Sequence, residues 1–150
     1  MGYGHLTMSI NISVIQILQE GFVQTILNLL DFIQIDPKYL ELEVTESVFV
    51  ECYKDINDKL EVLREKGIKI ALDDFGQGFS SLSTLHYLPI DTLKIDKCFI
   101  DSINAGKSSK SITEMIIMIG NKMGLTVLAE GVETQEQKDY LTKNKCNKMQ

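Results

Sequence analysis

The sequence predicts an α/β fold of parallel strands joined by crossover helices, and three observations carry that prediction. Short β-branched or alternating apolar runs recur at residues 6–11, 40–45, 68–73, 91–96 and 125–130. Between most of them lie stretches whose apolar residues return at helical spacing, with Ser, Thr, Pro or Gly at their ends. The connections left over are short. A strand followed by a helix and another strand then has to return along the same sheet, which makes neighbouring strands parallel.

The elements follow in order. Residues 6–13 alternate and predict a strand ending near Asn11, with Ser13 as N-cap of a helix running to about residue 33. Ile17, Phe22, Ile26, Leu29, Leu30 and Ile33 form its apolar face, and Asp36-Pro37 ends it. Leu40-Glu-Leu-Glu-Val-Thr45 is a second alternating strand. A polar helix over residues 53–66 turns Ile56, Leu60 and Leu63 inward and stops at Gly67. The strand 68–73 leads into a glycine-bracketed loop, Phe75-Gly-Gln-Gly-Phe79, and a short helix over 81–87. Pro89 introduces the strand 91–96. Ser108 or Ser111 opens a helix through Met123, which Gly124 ends. The strand 125–130 is followed by a helix from Gln135 to about Lys143 with Thr134 as cap, and Cys146 to Gln150 begins a sixth strand.

Composition narrows the function. One domain of ordinary globular make-up is expected from 150 residues with 44% hydrophobic and 24% charged side chains. No apolar run approaches the roughly 18–20 residues of a membrane span, and the start lacks the pattern of a secretory leader, so the expected location is cytoplasmic. A net charge of −6 argues against nucleic-acid polymers as partners. Cys52, Cys98 and Cys146 form neither a disulfide framework nor a zinc knuckle, and His5 and His86 stand alone.

Two architectures fit this order, an open doubly wound sheet and a (β/α) barrel, and neither phosphate-loop motif is present to favour the first. The polar residues separate them. Asn11, Glu43, Asp73, Lys94 and Glu130 each fall at or near the C-terminal end of a different strand. A barrel gathers catalytic groups on that ring, whereas an open sheet concentrates them at one switch point. The prediction is therefore a partial TIM-type barrel, with about six of the eight strands that close one.

Singly, these residues have ordinary readings. Asn11 can cap a helix, Glu43 can share a solvated face with Glu41 and Thr45, and Asp73 and Asp74 can be turn acids. Lys94 can extend its stem from a strand end, and Glu130 and Glu133 can favour a helix dipole. Jointly they place oxygen ligands and one cation at the same end of five strands. An oxygen-only donor set suits Mg²⁺ or Mn²⁺. Adjacent aspartates can serve two such ions about 3.5–4 Å apart, an arrangement that hydrolyses phosphate esters, with Lys94 holding the water or a phosphate oxygen.

Five segments in one order resemble the EAL domain family: Ser9-Ile-Asn-Ile-Ser13, Leu40-Glu-Leu-Glu-Val-Thr-Glu-Ser47, Ala71-Leu-Asp-Asp-Phe-Gly-Gln-Gly-Phe-Ser-Ser-Leu82, Leu93-Lys-Ile-Asp96 and Ala129-Glu-Gly-Val-Glu133. The resemblance implies a TIM-type barrel with one divergent antiparallel strand, and cleavage of cyclic di-GMP to linear pGpG. It implies metal ligation by Asn11, Glu43, Asp73, Asp74 and Glu130, with Asp74, Lys94 and Glu130 catalytic. Glu133 and Gln150 match substrate-pocket positions. Glu46 matches the acid that braces the loop after the paired aspartates, and that loop implies homodimerisation.

Gln77 and Phe79 depart from the commoner threonine or alanine and tyrosine of that loop. The Glu-Ala-Leu or Glu-Val-Leu tripeptide is not in these 150 residues, and the resemblance puts it, with a metal-ligating glutamate, upstream of Met1. The expectation is a single partial domain over residues 1–150, short of its first strands and its C-terminal end. Three readings follow: a cyclic di-GMP phosphodiesterase, a regulatory module that binds the nucleotide without cleaving it, or a fragment without function. Two open sheet edges predict poor solubility or self-association of the isolated chain.

Overall fold

The computed structural model describes residues 6–46, 53–76, 85–104 and 107–150. Among these, six strands form one sheet in strictly sequential order: β1 (Met8–Asn11), β2 (Leu40–Thr45), β3 (Lys69–Phe75), β4 (Thr92–Ile95), β5 (Thr126–Ala129) and β6 (Lys148–Met149). Every neighbouring pair is parallel. The order never reverses, so the sheet has no switch point of the doubly wound kind. It is also curled. Glu43 on β2 and Glu130, which follows β5, both reach the Lys94 ammonium. A flat sheet would hold those strands three spacings apart, roughly 14 Å. The partial barrel is what the sequence predicts.

Alternation sorts each strand into two faces. Leu40, Leu42 and Val44 of β2, Ile70 and Leu72 of β3, Leu93 and Ile95 of β4, and Val127 and Ala129 of β5 are buried on the outer side. Helices α3 (Tyr53–Glu65) and α5 (Lys107–Lys122) contribute Ile56, Leu60, Leu63, Ile116 and Ile117 to the same core. Burying these side chains drives the assembly, at roughly 1.5–3 kcal/mol each. The inner face keeps the hydrophilic residues of the same strands.

The helix expected over 14–33 is two helices, α1 (Val14–Leu18) and α2 (Phe22–Ile33). Gln19 leaves the helical region at ψ 141° and Gly21 takes φ +76°. The tertiary structure supports the break. Lys59 Nζ of α3 lies 3.0 Å from the Ile17 carbonyl and 3.4 Å from that of Leu18, satisfying groups a helix end leaves open. The new phase buries Phe22 and Leu30 but leaves Leu29 and Ile33 52% and 42% exposed, against their assignment to the apolar face.

The remaining elements lie close to expectation. Thr134 and Gln137 form a capping box on α6 (Gln135–Lys143). One α-helix was not expected: α4 (Lys97–Asp101), capped by Asp96 directly after β4. The caps expected at Ser108 or Ser111, the loop 77–81, most of the helix 81–87, and Cys52 and His5 lie outside the described side chains or residues.

Helix α5 meets the sheet through Gly120, where a Cβ would stand 2.5 Å from Val127 Cγ2 and 3.3 Å from Leu93 Cδ2. Gly120→Ala should therefore destabilise the fold by roughly 1–3 kcal/mol through overpacking, despite alanine's better helix propensity. A lower urea midpoint checks this.

Candidate metal and catalytic site

The site is built on the inner face by strand register. Asn11 of β1 pairs with Glu43 of β2, and Glu43 with Ala71 of β3; Thr45 pairs with Asp73. Ala71 pairs with Thr92 of β4, and Lys94 with Leu128 of β5. Partners in a parallel pair share a face, so Asn11, Glu43, Asp73 and Lys94 all point into the curl.

Lys94 is the hub. Its ammonium lies 2.7 Å from Glu43 Oε2, 3.0 Å from Asp73 Oδ1 and 2.9 Å from Glu130 Oε1. The residue is only 5% exposed. Burial pulls its pKa down, but the hydrogen bonds to Glu43, Glu130 and Asp73 outweigh that and hold it above the ordinary lysine value.

The paired aspartates part company at a bulge. Between Leu72 and Phe75, β3 carries one residue more than β4 does between Leu93 and Ile95. Asp74 takes up the extra residue at φ +54°, a left-handed conformation that costs about 1–2 kcal/mol, least for Asp and Asn among residues with a side chain. Its N–H donates to Asp73 Oδ1 at 3.0 Å. Partial burial, then the charge of Asp73 and the charge and hydrogen bond of Asp96, hold the Asp74 carboxyl above the usual carboxylate range. Asp74 therefore faces acids, whereas Asp73 faces Lys94.

The other expected residues are distributed around this core. Glu46 is buried, and its Oε2 accepts from the Gly76 N–H at 3.3 Å, at the base of the loop after the aspartates. Gly76 takes φ +102°, and a Cβ there would lie 2.8 Å from the Phe99 ring, so only glycine fits. Glu133 lies outside the Lys94 cluster and is exposed, its Oε1 2.8 Å from Lys97 Nζ. Gln150 is held by its backbone: its N–H donates to the Ala129 carbonyl, and its own carbonyl accepts from Val132. Asn11 is exposed at the end of β1.

The sequence reading missed two residues. Asp96 contacts Asp74 and caps α4 through the Cys98 N–H at 2.7 Å. Its position two residues after Lys94, at the same strand end, was the available signal. Glu41, whose ordinary reading is a solvated face beside Glu43, is buried.

The donor chemistry fits a hard divalent cation, because Asn11, Glu43, Asp73 and Glu130 offer only oxygens. As the side chains stand, no three His, Cys, Asp or Glu groups among the described residues converge tightly enough to hold an ion. The Lys94 ammonium occupies the point where three of those carboxylates meet.

A family model for the EAL domain matches residues 2–150. The chain belongs to the EAL domain family. Its relatives include PdeG of Escherichia coli, named a probable cyclic di-GMP phosphodiesterase, at 41% identity over 137 residues, 91% of this chain and 27% of that protein. The solved structure of the PaMucR phosphodiesterase in complex with c-di-GMP superposes with a TM-score of 0.93 at 36% identity, covering 99% of this chain and 60% of that one. The MucR protein comes from Pseudomonas aeruginosa. A manganese and cyclic di-GMP complex of Klebsiella pneumoniae BlrP1 matches with a TM-score of 0.85 at 29% identity, over 94% of this chain and 36% of that one. The chain thus spans about a quarter of PdeG and three-fifths of the MucR structure. Among the described residues, no helix is long and apolar enough to cross a membrane.

Two outcomes follow. Lys94→Met strands three carboxylates without their cation and should cost roughly 3–5 kcal/mol in urea unfolding. The Cys98 thiol is pushed up to about 11 by desolvation and by Asp96. Asp96→Asn should lower that value and raise the thiolate fraction, so iodoacetamide should alkylate Cys98 faster at pH 9 than in the parent chain.

Proposed function

We propose that this EAL-family chain carries the catalytic face of a cyclic di-GMP phosphodiesterase, which hydrolyses the cyclic dinucleotide to linear pGpG. The observation that carries the proposal is the convergence of Glu43, Asp73 and Glu130 on Lys94 at the C-terminal ends of the strands. That is the end of a (β/α) barrel where catalysis is found. The family membership and the nucleotide complexes of its relatives support the substrate class.

Asn11, Glu43, Asp73, Asp74 and Glu130 would hold Mg²⁺ or Mn²⁺ in a two-metal arrangement. Such ions, when bound, acidify a water molecule and neutralise phosphate charge. A chain of net charge −6 needs such cations to accept a dianionic substrate. Lys94 keeps its proton and donates charge-assisted hydrogen bonds to the attacking water or a non-bridging phosphate oxygen. Asp74, beside Asp96 and turned away from Lys94, is placed to take a proton from that water. Glu133 and Gln150 bind the nucleotide. Register supports Gln150 in that role: Leu128 pairs with Lys148, so Gln150 lies two residues beyond the level of Lys94, on the same face. Glu46 braces the loop through Gly76.

The loop after Asp74 is proposed to couple this site to a homodimer. Ile116 of α5 approaches Gly76 at the loop's base, and the same helix presents Ile112, Met115 and Met118 to solvent. An apolar ridge on the helix that approaches Gly76 suits a second copy of the chain.

The deciding experiment is turnover of cyclic di-GMP with Mg²⁺ or Mn²⁺, followed as pGpG by chromatography. Metal-dependent product is expected, lost on chelation and abolished by Asp73→Asn. Lys94→Met should lower kcat by roughly 10²–10³-fold, the scale of losing one preorganised donor. Nucleotide binding without turnover, indifferent to Asp73→Asn, would replace the enzyme by a receptor. For the dimer, Met115→Glu should convert a concentration-dependent dimer to monomer in sedimentation velocity.

A further inference from the structure

Beneath the Lys94 cluster the inner face carries a second polar layer that the proposed chemistry does not use. Glu41, two residues before Glu43, is 7% exposed. Its Oε2 accepts from Ser9 Oγ of β1 at 3.1 Å, and its Oε1 from Thr92 Oγ1 of β4 at 2.7 Å. Both partners are neutral hydroxyls. No ion pair to Glu41 is found among the described residues. A carboxylate taken out of water with two hydroxyls as partners carries a desolvation cost that a leucine there would not.

We propose that Glu41 is a positioning residue: through Thr92 and Ser9 it fixes the separation of β1, β2 and β4 and so sets Glu43 against Lys94. This rests on the phosphodiesterase reading only for its functional consequence. The layer repeats the spacing of the site above it. Ser9, Glu41 and Thr92 each stand two residues before Asn11, Glu43 and Lys94, and so share their face. The Thr92–Glu41 bond crosses β3 on the diagonal between Lys69, which pairs with Glu41, and Ala71, which pairs with Thr92 and is fully buried and small.

The need for a tie there follows from the bulge. Backbone hydrogen bonds fix register between adjacent strands but not the curl that decides how far β2 stands from β4. The β3–β4 ladder is interrupted between Leu72 and Phe75, at the level where Lys94 must reach Glu43. A bulge increases local twist and loosens the pairing. The Thr92–Glu41 bond lies just below that interruption, where the Ala71–Thr92 pairing is still regular.

The test is a double-mutant cycle between Glu43→Gln and Lys94→Gln, read as urea midpoints in the parent chain and in the Thr92→Val and Thr92→Ser backgrounds. Valine keeps the shape and removes the donor; serine keeps the donor. The non-additive part of the midpoint shift should fall by about half or more with valine and persist with serine. Mn²⁺ affinity should follow, weakening roughly 10-fold with valine alone, the lower end of what losing a supporting contact costs a metal site. An unchanged non-additive part in all three backgrounds overturns the proposal, even if Thr92→Val lowers the midpoint itself, because a merely structural hydroxyl would do that. Should Thr92→Val not fold, Thr92→Ala takes its place with the same two outcomes. The cycle needs no turnover. A chain that shows the coupling pattern but does not cleave cyclic di-GMP refutes the phosphodiesterase and leaves the positioning role standing.

Discussion

The structure turns on one ammonium group. Lys94 is nearly buried, and burial disfavours its charge. It stays charged because Glu43, Asp73 and Glu130 approach it from two other strands and a strand end. Those acids in turn need the cation, since three carboxylates this close would repel one another without it. The cluster is thus a mutual constraint, satisfied only when the sheet curls. Sequential strand order makes the curl possible and helices on the outer face hold it, so core and site depend on the same geometry.

Strain is concentrated beside that hub. The bulge in β3, the left-handed Asp74 and the glycine at position 76 follow one another within a few residues. Together they turn the second aspartate away from Lys94 and towards Asp96. Two adjacent acids that would otherwise compete for one cation acquire different neighbours. Glu46, holding the Gly76 N–H, ties the strained segment to the end of β2.

Much of this was legible in the chain. The alternation of Leu40-Glu-Leu-Glu-Val-Thr45 and the apolar run before Asp73 determine strands, and polar residues at their C-terminal ends mark the site. Local chemistry also settles caps such as Thr134, because a side chain reaching three residues along needs nothing from the rest of the fold. Where the reading went astray, a distant group decided the outcome. The helix after Ser13 breaks where Lys59 reaches its carbonyls, and Leu29 and Ile33 lose their place in the core with the change of phase.

Glu41 marks the boundary most clearly. By itself the sequence determined that Glu41, Glu43 and Thr45 share a face, because side chains alternate along any strand. It also determined the oxygen-rich donor set, which residue types alone specify. Which of those acids is solvated, which is braced by hydroxyls and which meets an ammonium was decided only by tertiary structure. The partners are Ser9, Thr92 and Lys94, as many as 51 residues away. Their distance from β2 is set by the curl of the whole sheet, and no local pattern encodes that curvature.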